Sequence, residues 1–162
     1  MKQVTFSQLI TKFMEAPAKI NAAVAPALRV SAVEVQKTAQ AKFGEYQPEV
    51  GEFPAWELLT LDTLHQKMDL AGGGADPLIG HYPAGQKKET YPVALRQSIA
   101  IQIDEANMSA AVGTNDPVGE WQEFGTDRGI PPRPFLRPAL YENGDFIKKA
   151  LSDALGIALF ST

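Results

Sequence analysis

Residues 129 to 138, GIPPRPFLRP, constrain this chain more than any other stretch. Pro131, Pro132, Pro134 and Pro138 sit within it. Each proline removes a backbone donor, fixes its own φ and pushes the preceding residue toward extended geometry. A stiff strap, extended over residues 130 to 137, is therefore expected between the middle of the chain and a last helix. Phe135 and Leu136 are apolar and require burial. Arg133 and Arg137 are long cations able to make forked hydrogen bonds with carboxylates. Such a strap is either a connector that staples the last helix to a sheet through Phe135 or a subunit contact, since aromatic and arginine residues concentrate at interface hot spots.

The elements on either side follow from periodicity. Apolar residues from Phe6 to Phe43, among them Leu28, Ala32, Val35 and Ala39, recur mostly every three or four positions, which predicts a long N-terminal helix ended by Gly44. Pro17 and Pro26 lie inside it, and a break near the first is expected, with the main helix starting at about Ala22. Residues 54–70, PAWELLTLDTLHQKMDL, predict a second, short amphipathic helix opened by Pro54. Leu95 to Asp104 alternate as a strand, and Met108, Ala110 and Val112 as a second, with a turn between them short enough for an antiparallel hairpin. From Pro138 the spacing is helical again, with Asn143-Gly144 able to break the helix and Asp145 placed as a fresh N-cap. The sum is an α+β fold over residues 1–162: a long N-terminal helix, a second short helix, a small antiparallel sheet, and a C-terminal helix packed on the sheet. A Gly/Pro-rich loop at 71–92 interrupts it.

A chain of 162 residues can bury about two-thirds of its unfolded surface. It has no cysteine, so disulfides, thiolate nucleophiles and zinc–thiolate sites are excluded. No apolar run approaches a membrane span, and the N-terminus lacks the pattern of a secretory signal. Net charge is −4, which argues against a general attraction to polyphosphate.

Candidate chemistry is sparse. His65 and His81 stand apart, without carboxylates at ligand spacing. Gly72-Gly73-Gly74 lacks a following Lys-Ser/Thr and reads as a hinge. Glu120 and Glu123 read as a surface carboxylate pair, and Lys87-Lys88-Glu89 as a solvated loop tip. No cofactor, metal or catalytic residue is expected, and the chain does not read as an enzyme.

Glu123-Phe124-Gly125-Thr126, followed by Pro132-Arg133-Pro134-Phe135-Leu136-Arg137-Pro138-Ala139-Leu140, resembles the E-F-G-T … P-x-R-P-F-L-R-P-A-L signature of tail-completion proteins of long-tailed bacteriophages, the minor tail protein Z-like group. Leu95-Arg96-Gln97-Ser98-Ile99 is similar to that family's L-R-x-S-I strand opening, and Val112-Gly113 precedes E-F-G-T at a familiar distance. Trp56, Leu59, Thr63 and Lys67 resemble the W-x-x-L-x-x-x-T-x-x-x-K helix of the related virion-morphogenesis group. The resemblance covers about residues 54 to 155. The insertion between Met68 and Leu95 departs from it, as does Asn143-Gly144, where the family usually has uninterrupted helix formers.

The resemblance implies a virion protein of the phage neck, assembled in the host bacterial cytoplasm and found at the head–tail junction. Its partners would be copies of itself in a ring, hexameric by the symmetry of a tail tube, the tail tube or tail terminator, and the head connector or head-closure protein. Genomic DNA would pass through without specific contact, and no membrane would be involved. The expected subunit or partner interface is Glu123, Phe124, Gly125, Thr126, Pro132, Arg133, Pro134, Phe135, Leu136 and Arg137, with Phe124 and Phe135 fastening the strap and Arg133 and Arg137 reaching acids of a neighbour. Another neck component, a tail terminator or head-closure protein, is the alternative; an enzyme without a recognisable site is a more distant one.

Overall fold

A computed structural model describes residues 6–68, 77–78 and 95–160. Most of the loop expected at 71–92 lies outside the described residues, with Gly72–Gly74, His81 and Lys87–Glu89 in it.

Helix α1 runs from Phe6 to Ala41 without interruption and carries both Pro17 and Pro26 inside it. The break expected near Pro17 is absent. A proline's φ already suits a helix, and what is lost is one hydrogen bond and room at the carbonyl four residues back. Beyond Pro26 the apolar side of α1 is held along its length by other elements, which offsets that loss. The helix ends where Gly44 adopts a left-handed φ of 97° and donates its N–H to the Pro77 carbonyl at 3.0 Å.

The second helix is shorter than its sequence suggests. Helix α2 spans only Leu61–Met68, opened by Thr60, whose Oγ1 accepts from the Thr63 amide at 3.3 Å. Residues 54–60 form no helix, and Trp56 is pinned twice: its amide donates to the Gln47 carbonyl at 2.9 Å and its indole N–H to the Pro134 carbonyl at 3.0 Å. Trp56 is buried, whereas Leu58, Leu61 and Met68 are exposed, so the amphipathic stripe does not form as expected.

Leu95–Ser98 is a helical turn, α3, and not the start of a strand. Two glutamines of α1 hold it there: Gln36 Nε2 donates to the Ile99 carbonyl at 2.6 Å and Gln40 Nε2 to the Arg96 carbonyl at 3.2 Å. The alternating pattern becomes strand at β1, Ala100–Asp104, which pairs antiparallel with β2, Ser109–Gly113, in the register Ala100↔Gly113 to Asp104↔Ser109. Asp104 closes the hairpin by accepting from the Asn107 amide at 3.1 Å and from its Nδ2 at 2.7 Å.

Helix α4, Pro117–Phe124, is an element that periodicity did not reveal. Its start is nonetheless written in the sequence: Asp116 is the N-cap, its side chain accepting from Val118 N at 2.9 Å, and Pro117 follows at the first helical position. After the strap come α5, Leu136–Glu142, and α6, Gly144–Phe160. Asn143 separates them, as expected, but the cap is not Asp145. The Asn143 carbonyl accepts from Ile147 N at 2.9 Å, while its Nδ2 reaches Thr38 Oγ1 at 2.9 Å and the Ala139 carbonyl at 2.8 Å.

The architecture is α+β. Helix α1 carries the two-stranded sheet, and α5 and α6 pack on α1 as well. The core joins Val35, Ala39 and Phe43 of α1 with Trp56, Ile99, Phe135 and Ala139. Phe135 is wholly buried, its ring edge-on to Phe43 at 5.1 Å between centroids.

The Asn107 side chain and then its backbone amide, by hydrogen-bonding the ionised Asp104 carboxyl, hold that group below its ordinary value of 3.8. A carboxyl lowered by folding contributes stability at higher pH and loses it as pH falls through the folded value. Nuclear magnetic resonance titration of Asp104 should give a midpoint below 3.8, and Asn107→Ala should move it back up; a midpoint unchanged in that variant would disprove the coupling.

Candidate functional site

The two halves of the proline–arginine block meet at one carboxylate. Glu123 lies in the last turn of α4 and is only 4% exposed, so it is not half of a surface carboxylate pair with Glu120, which is exposed. Its Oε2 accepts from Phe135 N at 2.8 Å and Leu136 N at 2.9 Å. Its Oε1 accepts from Arg137 N at 3.0 Å and Arg137 Nε at 3.0 Å. Phe135 is the N-cap position of α5 and offers no side-chain cap of its own. Glu123 thus supplies from another helix the acceptor that a capping side chain normally provides, and places negative charge at a helix N-terminus.

Arg137 closes the clamp. Its NH2 group donates to the Glu123 carbonyl at 2.9 Å, and its guanidinium sits 4.6 Å from the Phe124 ring centroid and 5.4 Å from that of Phe53. Phe124 itself is 62% exposed. The ring is therefore presented outward on a cationic backing, while Phe135 alone fastens the strap in the core.

The strap runs back along α4. Arg133 N donates to the Gln122 carbonyl at 2.6 Å. The Arg133 side chain, 5% exposed, bonds the Glu57 carbonyl through Nε at 3.3 Å and NH2 at 3.0 Å. Burial pulls this guanidinium below its ordinary value, opposed by the negative potential of Tyr46 and Glu57. The arginines expected to reach a neighbour's acids are accordingly engaged within their own chain, Arg133 on a backbone carbonyl and Arg137 on Glu123. Pro134 is buried and Pro132 exposed, and the strap turns helical at Leu136, two residues sooner than expected.

Gly125 and Thr126 shape the return. Gly125 has φ 75°, and a Cβ there would lie 2.8 Å from the Ile130 carbonyl oxygen, so only glycine fits. Thr126 N donates to that same carbonyl at 3.0 Å, and Thr126 Oγ1 accepts from Ile130 N at 3.3 Å.

Beside the clamp stands a second charged anchor that sequence reasoning missed. Lys42, buried at the end of α1, bonds both Glu142 oxygens at 2.8 and 3.0 Å. The two residues are 100 positions apart, and no local pattern marks them as partners. Among the described residues no group of three or more His, Cys, Asp or Glu is placed to hold a metal ion, and His65 is exposed on α2.

An open apolar groove of about 410 Å³ lies alongside, between α1, β2, α5 and α6, with Leu28, Ser31, Val35, Val112, Leu140 and Ile147 in its walls. No protein-family model matches the chain, and neither a curated protein nor a solved structure is significantly similar to it.

Removing the Glu123 carboxylate leaves three amides and a guanidinium without their acceptor. Glu123→Ala should cost about 1–3 kcal/mol, the penalty for leaving buried donors without an acceptor, measured by urea denaturation. Arg133→Ala, which frees only the Glu57 carbonyl, should cost about 1.5–3 kcal/mol, the range for a hydrogen bond to a charged group. Equal stabilities of Glu123→Ala and wild type would show that the clamp is dispensable.

Proposed function

We propose that this chain is a structural protein of the bacteriophage neck, a tail-completion subunit that forms a ring joining the tail tube to the head connector around the DNA channel. The observation that carries the reading is the Glu123 clamp. Residues 123–126 and 132–140 carry the resemblance to tail-completion proteins, and they form one interlocked unit, joined by four hydrogen bonds to a single carboxylate. Five of the signature residues have a physical task there: Glu123 caps, Gly125 turns, Arg133 ties down the 54–60 segment, Phe135 fills the core and Arg137 backs Phe124.

The outer side of that unit suits assembly. Trp121, Phe124 and Ile130 are exposed around it, and aromatic residues dominate the energetics of protein interfaces. A net charge of −4 suits a subunit that lines or borders a DNA passage, because neutralising phosphates is what would hold the duplex in place. Copies of the chain would close into a ring through repeated heterologous contacts, with the tail tube or terminator on one side and the head connector on the other.

Electron microscopy of intact virions tests this reading. A ring of density containing this chain is expected at the head–tail junction, and particles lacking the chain should accumulate as filled heads and finished tails that do not join. Detection of the chain elsewhere in the particle, or normal joining without it, would overturn the proposal.

A further inference from the structure

Asn143-Gly144 is the one Asn-Gly pair in the sequence, and it forms the joint between α5 and α6. Asparagine is a thermolabile residue, and a following glycine makes its breakdown intramolecular. The Gly144 nitrogen attacks Asn143 Cγ, and a new N–C bond closes a succinimide ring. The Cγ–Nδ2 bond breaks, and Nδ2 leaves as ammonia with the proton that the Gly144 nitrogen gives up. Water then opens the ring at either carbonyl, leaving an aspartate or, with the main chain rerouted through Cβ, an isoaspartate. Glycine favours the attack because no side chain crowds its nitrogen.

The fold opposes each part of that reaction. Asn143 has a ψ of 3°, which eclipses the Gly144 nitrogen with the nitrogen of Asn143 itself and holds it away from the Cβ side. The side-chain amide has two hydrogens to give, and Nδ2 has two acceptors, Thr38 Oγ1 at 2.9 Å and the Ala139 carbonyl at 2.8 Å. Turning Cγ toward the attacking nitrogen breaks those bonds. Asn143 is also only 8% exposed, which keeps water and base from it. No steric demand places glycine at 144: its φ is not positive, and an added Cβ would meet nothing within 4 Å.

We infer that Asn143-Gly144 is a self-modification site, held off by the native contacts and released by unfolding, whose products cannot rebuild the junction of α5 with α1. An aspartate at 143 sets an oxygen without a hydrogen against the Ala139 carbonyl. Thr38 can turn its hydroxyl to donate instead, but a backbone carbonyl has nothing to turn, and a buried charge facing an acceptor is costly. An isoaspartate adds a methylene to the main chain between two helices that both pack on α1. The pair therefore records, irreversibly, the time a chain has spent open.

The test is peptide mass spectrometry of the full chain held in mildly alkaline buffer with and without denaturing urea. In urea, Asn143 should turn to acid while Asn21, Asn107 and Asn115 stay amides; in buffer alone Asn143 should persist far longer. Gly144→Ala, which the open space around that residue accommodates, should suppress most of the conversion in urea. Thr38→Val should speed conversion of the folded protein about 2–12-fold, the worth of one hydrogen bond, because the reaction waits on local opening. Converted chains returned to buffer should melt at a lower temperature than unconverted chains taken through the same urea step. Equal rates with and without urea, conversion no faster at Asn143 than at the other asparagines, or converted protein that regains the wild-type melt would each overturn the inference.

Discussion

The fold turns on one carboxylate placed where a helix begins. Helix α5 starts at the end of a proline-rich strap with Phe135 in the N-cap position, a residue that can fill a core but cannot cap. Glu123 resolves that conflict from the last turn of α4, accepting from three consecutive amides and from Arg137. Because the cap comes from elsewhere, Phe135 is free to be a core residue, packing edge-on against Phe43. The strap can then be stiff without being loose, and Trp56 and Arg133 use it to hold the 54–60 segment.

Buried charge recurs in the same neighbourhood. Lys42 and Arg133 are both buried, one answered by Glu142 and the other by the Glu57 carbonyl. Isolated ions inside a protein are costly, and removing one partner leaves the other uncompensated. Such pairs therefore specify an arrangement more than they strengthen it: α5 can dock on α1 in the one position that brings Glu142 to Lys42 and Asn143 to Thr38. The core itself is small for the length of the described chain, and exposed Met14, Leu58, Leu155, Ile157 and Leu159 leave apolar surface available to neighbours.

Much of this was legible in the residues, and the failures have physical causes. The α+β class, the long first helix, the hairpin and the break at Asn143 follow from periodicity and turn chemistry. Helix α4 escaped because eight residues give too little period to read, although Asp116-Pro117 marks its start. Leu95–Ser98 alternates like a strand but is turned into a helix by Gln36 and Gln40, a tertiary effect. Residues 54–60 have helical spacing but form no helix, with Trp56 tied to the Gln47 and Pro134 carbonyls. At the site, the strap's stiffness and the burial of Phe135 were readable, whereas the roles of the charged residues were not. Whether Glu123 faces water or the amides of α5 depends on where the strap returns, and no local pattern encodes that.

The order in which the chain is made gives the α1 contacts a further meaning. Helix α1 is synthesised before the elements it packs on, and Lys42 and Thr38 find their partners 100 and 105 positions later. The clamp, by contrast, closes within 12 to 14 positions, so it can form as soon as the strap emerges. At bacterial synthesis rates of about 5–20 residues per second, α1 waits on the order of 5–20 s with its apolar side uncovered. The clamp is thus a local closure, whereas the surroundings of α1 are completed only by residues that arrive late in synthesis.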